Sequence, residues 1–434
     1  MDKTNLFWRG VVGLSLLFPA TSFAQSSEVI DLKKPQKGED IMVIYNTGSH
    51  DSTIVNVFSK NTPKHFTAPG LPRFAIVGKQ QKYYLGIGGY VKGTASFDFD
   101  GVINSPTNFT TNAIPVPKIP GNGAKFQASA ATSNIFFNFV GLPNTENEFG
   151  AYINANFTGD DYAFTLLGAY VTYRGFLLGY STSLFTDAAA VPPTIDYEGP
   201  SGLTFVYNTV LQYTYNINKK WSAAIAAEMP MFSATYKNPY TQDVYQRVPD
   251  IPVYLQYSWN NGASWLRASG LFRTLTYRDE VLQKNRNDFG WGVKLSGAAN
   301  ITPNLKAFYQ GVYGQGVTNY IQDMTGLGMD MVNCASNNGH MSRVKSWGAY
   351  GGLQYNFSPT TFMSCTYSQD RAYMPDGIDN PTGYKYAQYL VANMFWNLVP
   401  NVQMGVEYLW GRRVNHDRES NHANRLQTMI QFNF

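Results

Sequence analysis

Near its C-terminus the chain alternates with period two. Leu426, Thr428, Ile430, Phe432 and Phe434 share one face, and Arg425, Gln427, Met429, Gln431 and Asn433 share the other. The same pattern recurs from about Tyr83 onward, in stretches where aromatic or aliphatic side chains alternate with Ser, Thr, Asn, Gln, Gly or a single charge. Such stretches are strands with one apolar and one polar face. A soluble sandwich also alternates, but its strands average about five or six residues rather than roughly twelve.

The pattern predicts about sixteen strands, near 83 to 100, 126 to 142, 147 to 158, 163 to 174, 176 to 185, 203 to 216, 220 to 229, 251 to 259, 264 to 278, 287 to 300, 304 to 318, 345 to 357, 360 to 373, 384 to 398, 402 to 415 and 422 to 434. Tight connections follow the even strands, Arg174-Gly175 and Ser358-Pro359 among them, and the longer loops mostly follow the odd ones. Long loops on one rim, tight turns on the other and an even strand count predict an all-β fold, a transmembrane antiparallel barrel of the outer-membrane type. Closure leaves no unpaired edge in hydrocarbon. Composition agrees: mean hydropathy is -0.26 and charged residues are only 14%, against about 25% in ordinary soluble domains. No apolar run approaches the ~20 residues of a spanning helix. The formal charge of +4 comes without a Lys/Arg block, which argues against a nucleic-acid partner.

On this register Ile135, Phe137 and Phe139, then Trp291, Val293 and Leu295, then Met404, Val406, Tyr408 and Trp410 face outer-membrane lipid. Tyr and Trp near strand ends fit interfacial girdles. Residues 1–24 read as a secretory signal: Lys3 and Arg9 flank the start of an apolar run, Val11 to Phe18, with cleavage expected after Ala24. Residues 25–82 then form a periplasmic leader, with short strands expected at Ile41 to Tyr45 and near Val55 to Phe58, and residues 83–434 form the barrel. Cys334 and Cys365 either pair or stay free, and their spacing is not that of a metal site.

The opposite parity lines the lumen, where charge is tolerated because it meets water. It carries the cations Lys92, Arg267, Arg273, Lys294, Lys306, Lys385, Arg413 and Arg425 against the anions Asp98, Glu228, Asp370 and Glu407. A cationic excess in a narrow channel favours anionic solutes. The alternative for Glu407 is a structural ion pair with Arg413 or Arg425. After the fifth strand, residues 186–202 carry Pro192, Pro193 and Pro200, which stiffen the backbone, and Asp187, Asp196 and Glu198, which supply acceptors. Folded into the lumen as a constriction loop, this acidic segment would oppose a basic wall.

These stretches, Gly88 to Gly93 (GGYVKG), Gly179 to Gly202 (GYSTSLFTDAAAVPPTIDYEGPSG), Gly405 to Arg413 (GVEYLWGRR) and Asn424 to Gln427 (NRLQ), together resemble porins of the DcaP type. The resemblance spans the chain from about residue 82 onward. It implies a sixteen-stranded homotrimeric channel for small anionic solutes, with dicarboxylates as the associated class, and it makes Lys92, Asp196, Glu198, Glu407, Arg413 and Arg425 pore-associated positions. Family members often carry a coiled-coil leader, whereas residues 25–82 show no heptads.

A barrel enzyme of the phospholipase or protease type is the competing class. His340, His416 and His422 fall in or near loops, and Asn338 to Ser342 places His340 two residues from Ser342, but no orienting acid accompanies them. A soluble exported β-protein is the other alternative, and no propeller-like repeat supports it. No catalytic residue and no cofactor are expected. Asp98 and Asp100 with the loop acids do not follow an EF-hand spacing, and no phosphate-binding glycine loop occurs.

Overall fold

A computed structural model describes residues 41–45, 52–121, 123–333, 338–378 and 380–434. The signal sequence, its cleavage after Ala24 and Cys334 lie outside the described residues; Cys365 carries a free thiol on the outer wall.

Residues 83–434 form a closed antiparallel barrel of sixteen strands. They are β1 Tyr83–Phe99, β2 in two stretches Ala124–Ser129 and Asn134–Gly141, β3 Phe149–Asn156, β4 Thr165–Tyr173, β5 Phe176–Thr182, β6 Tyr207–Asn216, β7 Trp221–Glu228, β8 Ile251–Trp259, β9 Ser264–Asp279, β10 Lys284–Asn300, β11 Leu305–Gln315, β12 Lys345–Ser358, β13 Thr361–Tyr373, β14 Tyr384–Val399, β15 Val402–Asn415 and β16 Ser420–Asn433. Each strand pairs with the next, and β16 returns to β1 with Arg425 opposite Asp98 and Gln431 opposite Lys92.

The alternation decides which face meets lipid. Val293 and Leu295 are 52% and 56% exposed on the outer wall, while Lys294 between them is 2% exposed. Around the tight turns the exposed outer residues include many aromatics, Tyr173 and Phe176, Tyr215 and Trp221, and Phe357, the girdle expected at headgroup level. At the turn between β4 and β5, Arg174 and Gly175 both take positive φ, 46° and 86°, the two-residue geometry that matches strand twist.

The barrel is not hollow. The first loop (L1, residues 100–121 and 123), the third (L3, 183–206), the fourth (L4, 229–250) and the sixth (L6, 316–333 and 338–344) fold onto the inner wall. Phe185 and Val206 of L3 share a core with Val317, Tyr320, Ile321 and Met324 of L6 and with wall residues Leu271 and Val312. Ile103, Phe109 and Ile114 of L1 pack on Tyr389, Val391 and Leu409.

Ahead of the barrel, Ile41–Tyr45 pairs with Phe74–Gly78, which pairs with β1. The segment Ser52–Phe58 is a helix, not the strand expected at Val55 to Phe58. Ile54, Val57 and Phe58 stand at i, i+3 and i+4, and all three are buried against Tyr84 and Val140, a helical stripe rather than a period-two face.

Candidate pore and the charges that build it

L3 starts and ends on the wall between β5 and β6 and crosses the lumen, because the inner faces of distant strands offer its backbone partners. Tyr350 donates to the Ala190 carbonyl at 2.9 Å. Asn393 donates to the Pro193 carbonyl at 2.8 Å. Gln310 donates to the Gly202 carbonyl at 3.0 Å. At Gly202 the loop lies directly on the wall: a Cβ there would stand 2.5 Å from the Ala349 nitrogen and 2.6 Å from the Gln369 carbonyl oxygen. A glycine at this position is a steric requirement of the docked loop.

Glu407 holds the centre of L3. Its carboxylate accepts from the backbone N–H of Ile195 at 2.8 Å and Asp196 at 2.9 Å, from the Thr194 hydroxyl, from Asn393 Nδ2 at 2.9 Å and from Gln427 Nε2 at 2.7 Å. It pairs with neither Arg413 nor Arg425. The loop backbone satisfies it instead, as expected where a buried carboxylate meets several donors. Lys294 donates to the Phe185 carbonyl oxygen and, at 3.1 Å, to the Thr204 hydroxyl. Lys92 donates to the Ile195 carbonyl at 3.4 Å. Glu228 accepts from Leu184 N–H at 2.6 Å and from Ser183 at 2.8 Å.

The other wall charges hold the remaining loops. Arg425 forks onto Asp98 at 2.5 and 3.0 Å and donates to the carbonyls of Ile103 and Ser105 in L1. Arg273 pairs with Asp250 of L4 and Asp330 of L6, each at 3.0 Å, with all three side chains fully buried. Asp370 accepts from the Tyr384 hydroxyl, which also lies 3.0 Å from Asp323 of L6. Lys385 falls on a bulge between Tyr384 and Tyr386, where the alternation breaks. Arg413 donates to the Asn112 carbonyl at 2.6 Å and lines a 460 Å³ vestibule under the long loops.

Arg267 and Lys306 are the wall cations that border open space on the tight-turn side of L3. A cavity of 260 Å³ is lined by Lys60, Lys64, Asp187 and Arg267, and a neighbouring cavity of 710 Å³ by Lys64, Arg267 and Lys306. Asp187, the carboxylate lining the first of them, accepts from Trp265 Nε1 at 3.0 Å and Ser296 at 2.8 Å and sits 3.5 Å from Arg267. On the other side of L3, Asp196 and Glu198 line a cavity of 200 Å³. Asp196 accepts from Phe109 N–H at 2.7 Å and from the Tyr389 hydroxyl at 2.9 Å, and Glu198 accepts from Asn108 Nδ2 at 2.7 Å. Burial, then the Glu407 charge, pushes Asp196 up to about 6, and burial, then Asp196, pushes Glu198 up to about 7.

Two of the loop histidines have polar partners. His340 Nδ1 lies 3.0 Å from the Tyr277 hydroxyl, and His422 lies 2.6 Å from Asp100, which Lys118 also contacts at 2.5 Å. Sequence reasoning missed Lys60 and Lys64 as cavity-lining residues, because they precede the barrel and carry no strand periodicity. It also missed Asp250, Asp323 and Asp330, loop acids that parity does not register.

A family model for the DcaP outer membrane protein matches residues 75–434. No curated protein matches the chain. Among solved structures, the outer membrane channel DcaP of Acinetobacter baumannii aligns with a TM-score of 0.69 at 19% identity, covering 82% of this chain and 99% of that one. An anion-selective porin from Comamonas acidovorans aligns with a TM-score of 0.51 at 9% identity, covering 81% and 100%. OmpT of Vibrio cholerae, in a trimer form, aligns with a TM-score of 0.50 at 8% identity, covering 81% and 99%. At these identities the solved structures show a shared fold, and the family match adds descent: the chain belongs to the DcaP outer-membrane protein family and is an outer-membrane channel of the porin type.

Proposed function

We propose that the protein is a passive diffusion channel that prefers small anions, dicarboxylates among them, and performs no chemistry. The observation that carries this reading is the lining of the two cavities below L3. Lys64, Arg267 and Lys306 face that space, while Lys60 at its edge is paired with Glu148 at 3.0 Å; Asp187 is the one described carboxylate in the lining and is already engaged by Trp265, Ser296 and Arg267. In a confined, low-dielectric passage such an imbalance raises local anion concentration.

The wall charges divide by role in this reading. Arg267 and Lys306 meet solute, and Arg413 meets it in the outer vestibule. Lys92, Arg273, Lys294, Arg425, Asp98, Glu228, Asp370 and Glu407 hold loops and reach solute through the field, as does Lys385 from the rim. Asp187, Asp196 and Glu198 give L3 the opposite sign. Export with cleavage after Ala24 and assembly as a homotrimer in outer-membrane lipid complete the proposal. Bilayer recording under a tenfold salt gradient tests it: the expected reversal potential has the sign of anion preference. Cation preference overturns the selectivity, and a sealed, non-conducting barrel overturns the channel.

A further inference from the structure

Residues 60–72 do not hang below the barrel; they run inside it. Asn61 donates to Asn138 Oδ1 at 2.9 Å and accepts from the Thr172 hydroxyl at 3.1 Å, and its carbonyl accepts from the Tyr170 hydroxyl at 3.0 Å. Asn138 in turn donates to Thr62 at 2.9 Å. All these partners project inward from β2 and β4, next to the tight turns. The chain then crosses the lumen. His65 meets Phe205 of L3 edge-on at 6.0 Å, and Phe66 packs on Phe395 at 5.1 Å and Phe362 at 6.2 Å, on β14 and β13. It returns to β1, where Tyr90 donates to the Thr67 carbonyl at 3.3 Å and Pro72 lies against the wall.

The wall is shaped for this segment. A Cβ at Gly86 would stand 2.5 Å from Pro72 Cγ, and one at Gly150 would stand 2.6 Å from Asn61 Nδ2. Both glycines sit at inward positions where an ordinary side chain would occupy the space the segment uses. Buried polar contacts and wall relief at both feet mark a fixed element, in contrast to the loose leader typical of mature termini.

We infer that residues 60–67 form a second narrowing element, an arch entering from the tight-turn rim and meeting L3, and that the arch places Lys64 on the solute path. Lys64 is exposed, has no ion-pair partner among the described residues, and borders both cavities together with Arg267. The conduit is therefore bounded by three parts: the barrel wall at Arg267 and Lys306, L3 at Asp187 to Ala189, and the arch at Lys60 to Phe66. The arch sets selectivity as well as width. The sign of Lys64's effect rests on the anion-channel reading; its place on the path does not.

The test uses the full-length protein in planar bilayers. Lys64→Glu reverses one charge beside the path and is expected to lower the anion-to-cation permeability ratio roughly threefold or more at 0.1 M salt, with the effect shrinking at 1 M. If the parent proves cation-preferring, the anion reading fails, yet Lys64→Glu must still shift the ratio further toward cations. An unchanged ratio overturns the arch. As a second measurement, Lys64→Cys in a chain whose Cys334 and Cys365 are replaced by Ser is treated from the tight-turn side with an anionic thiol reagent. A stepwise fall in current is expected, and full labelling without loss of current overturns the inference.

Discussion

Glu407→Gln is the most informative single change, because it keeps the side-chain volume and removes only the acceptor capacity that docks L3. The carboxylate is fully buried and serves backbone and side-chain donors from Thr194, Ile195, Asp196, Asn393 and Gln427. Glutamine presents one oxygen and one NH₂ group to the same donors. Wherever the amide nitrogen points, at least one N–H of the loop or wall loses its acceptor and faces another donor. A buried donor left unsatisfied costs about 1–3 kcal/mol, and bonds to a charged acceptor are worth about twice neutral ones. The expected destabilisation of the docked loop is therefore about 2–4 kcal/mol, or roughly 30-fold to 1000-fold in its docking equilibrium. Barrel closure depends on the β16–β1 ladder rather than on L3, so the folded barrel persists. Single-channel recording should show larger open conductance with frequent transitions between levels, while heat-modifiable mobility on gels stays that of the parent. A Glu407→Gln channel with parental conductance and a quiet open state would refute the claim that this carboxylate holds the loop.

Four further outcomes follow from the geometry. Gly202→Ala should displace L3 as well, since the atoms its Cβ meets at 2.5 and 2.6 Å are backbone and cannot yield; conductance above parent is the expected result. Arg273→Leu leaves Asp250 and Asp330 buried without their cation, a loss of about 3–5 kcal/mol, read as a lower melting temperature with little change in permeability ratio. Arg267→Ser should lower anion preference, and since it also takes the cation from the buried Asp187, a lower melting temperature should accompany the change in permeability ratio. Selectivity should also depend on pH: with Glu198 raised to about 7 and Asp196 to about 6, both are ionised at pH 8 and take up protons as the pH falls. Negative charge on L3 is lost across pH 7.5 to 5, so the reversal potential should move toward stronger anion preference. By linkage, protonation favours the docked loop, whose contribution to stability declines as pH rises through these values.

The barrel was legible because its determinant is local. Period-two alternation and turn spacing placed all sixteen strands within a few residues of β1 to β16, and the prolines of L3 marked a stiff inner loop. The short run Val55 to Phe58 misled because a few apolar residues fit a strand or a helix equally well. What remained hidden was pairing at long range. Arg273 reads as a free lumen cation until Asp250 and Asp330 arrive from two loops, and Arg425 until L1 folds over it. Parity reports which way a side chain points, not whether a loop comes to meet it. The arch left one signal, glycines at inward positions of β1 and β3, which could have been read as room kept for another segment.

The distribution of charge explains why so many ionic groups lie in this lumen and so few act on solute. Desolvating an ion pair costs about as much as the pair regains, so Arg273 with Asp250 and Asp330, or Arg425 with Asp98, adds little to net stability over an apolar equivalent. Such pairs do penalise every alternative placement of their loops, since a misplaced loop strands a buried charge. The long loops of a barrel have no periodic pattern to fix their register, and buried charge supplies that specificity here: L1 through Asp98 and Arg425, L3 through Glu407, Lys294 and Glu228, L4 and L6 through Arg273. On the proposed reading, with those charges engaged and Lys60 paired to Glu148, the passage below L3 is left to Arg267, Lys306 and Lys64. Selectivity then depends on a small set of residues, and changes to the buried set should alter pore shape and stability before they alter the sign of the transported ion.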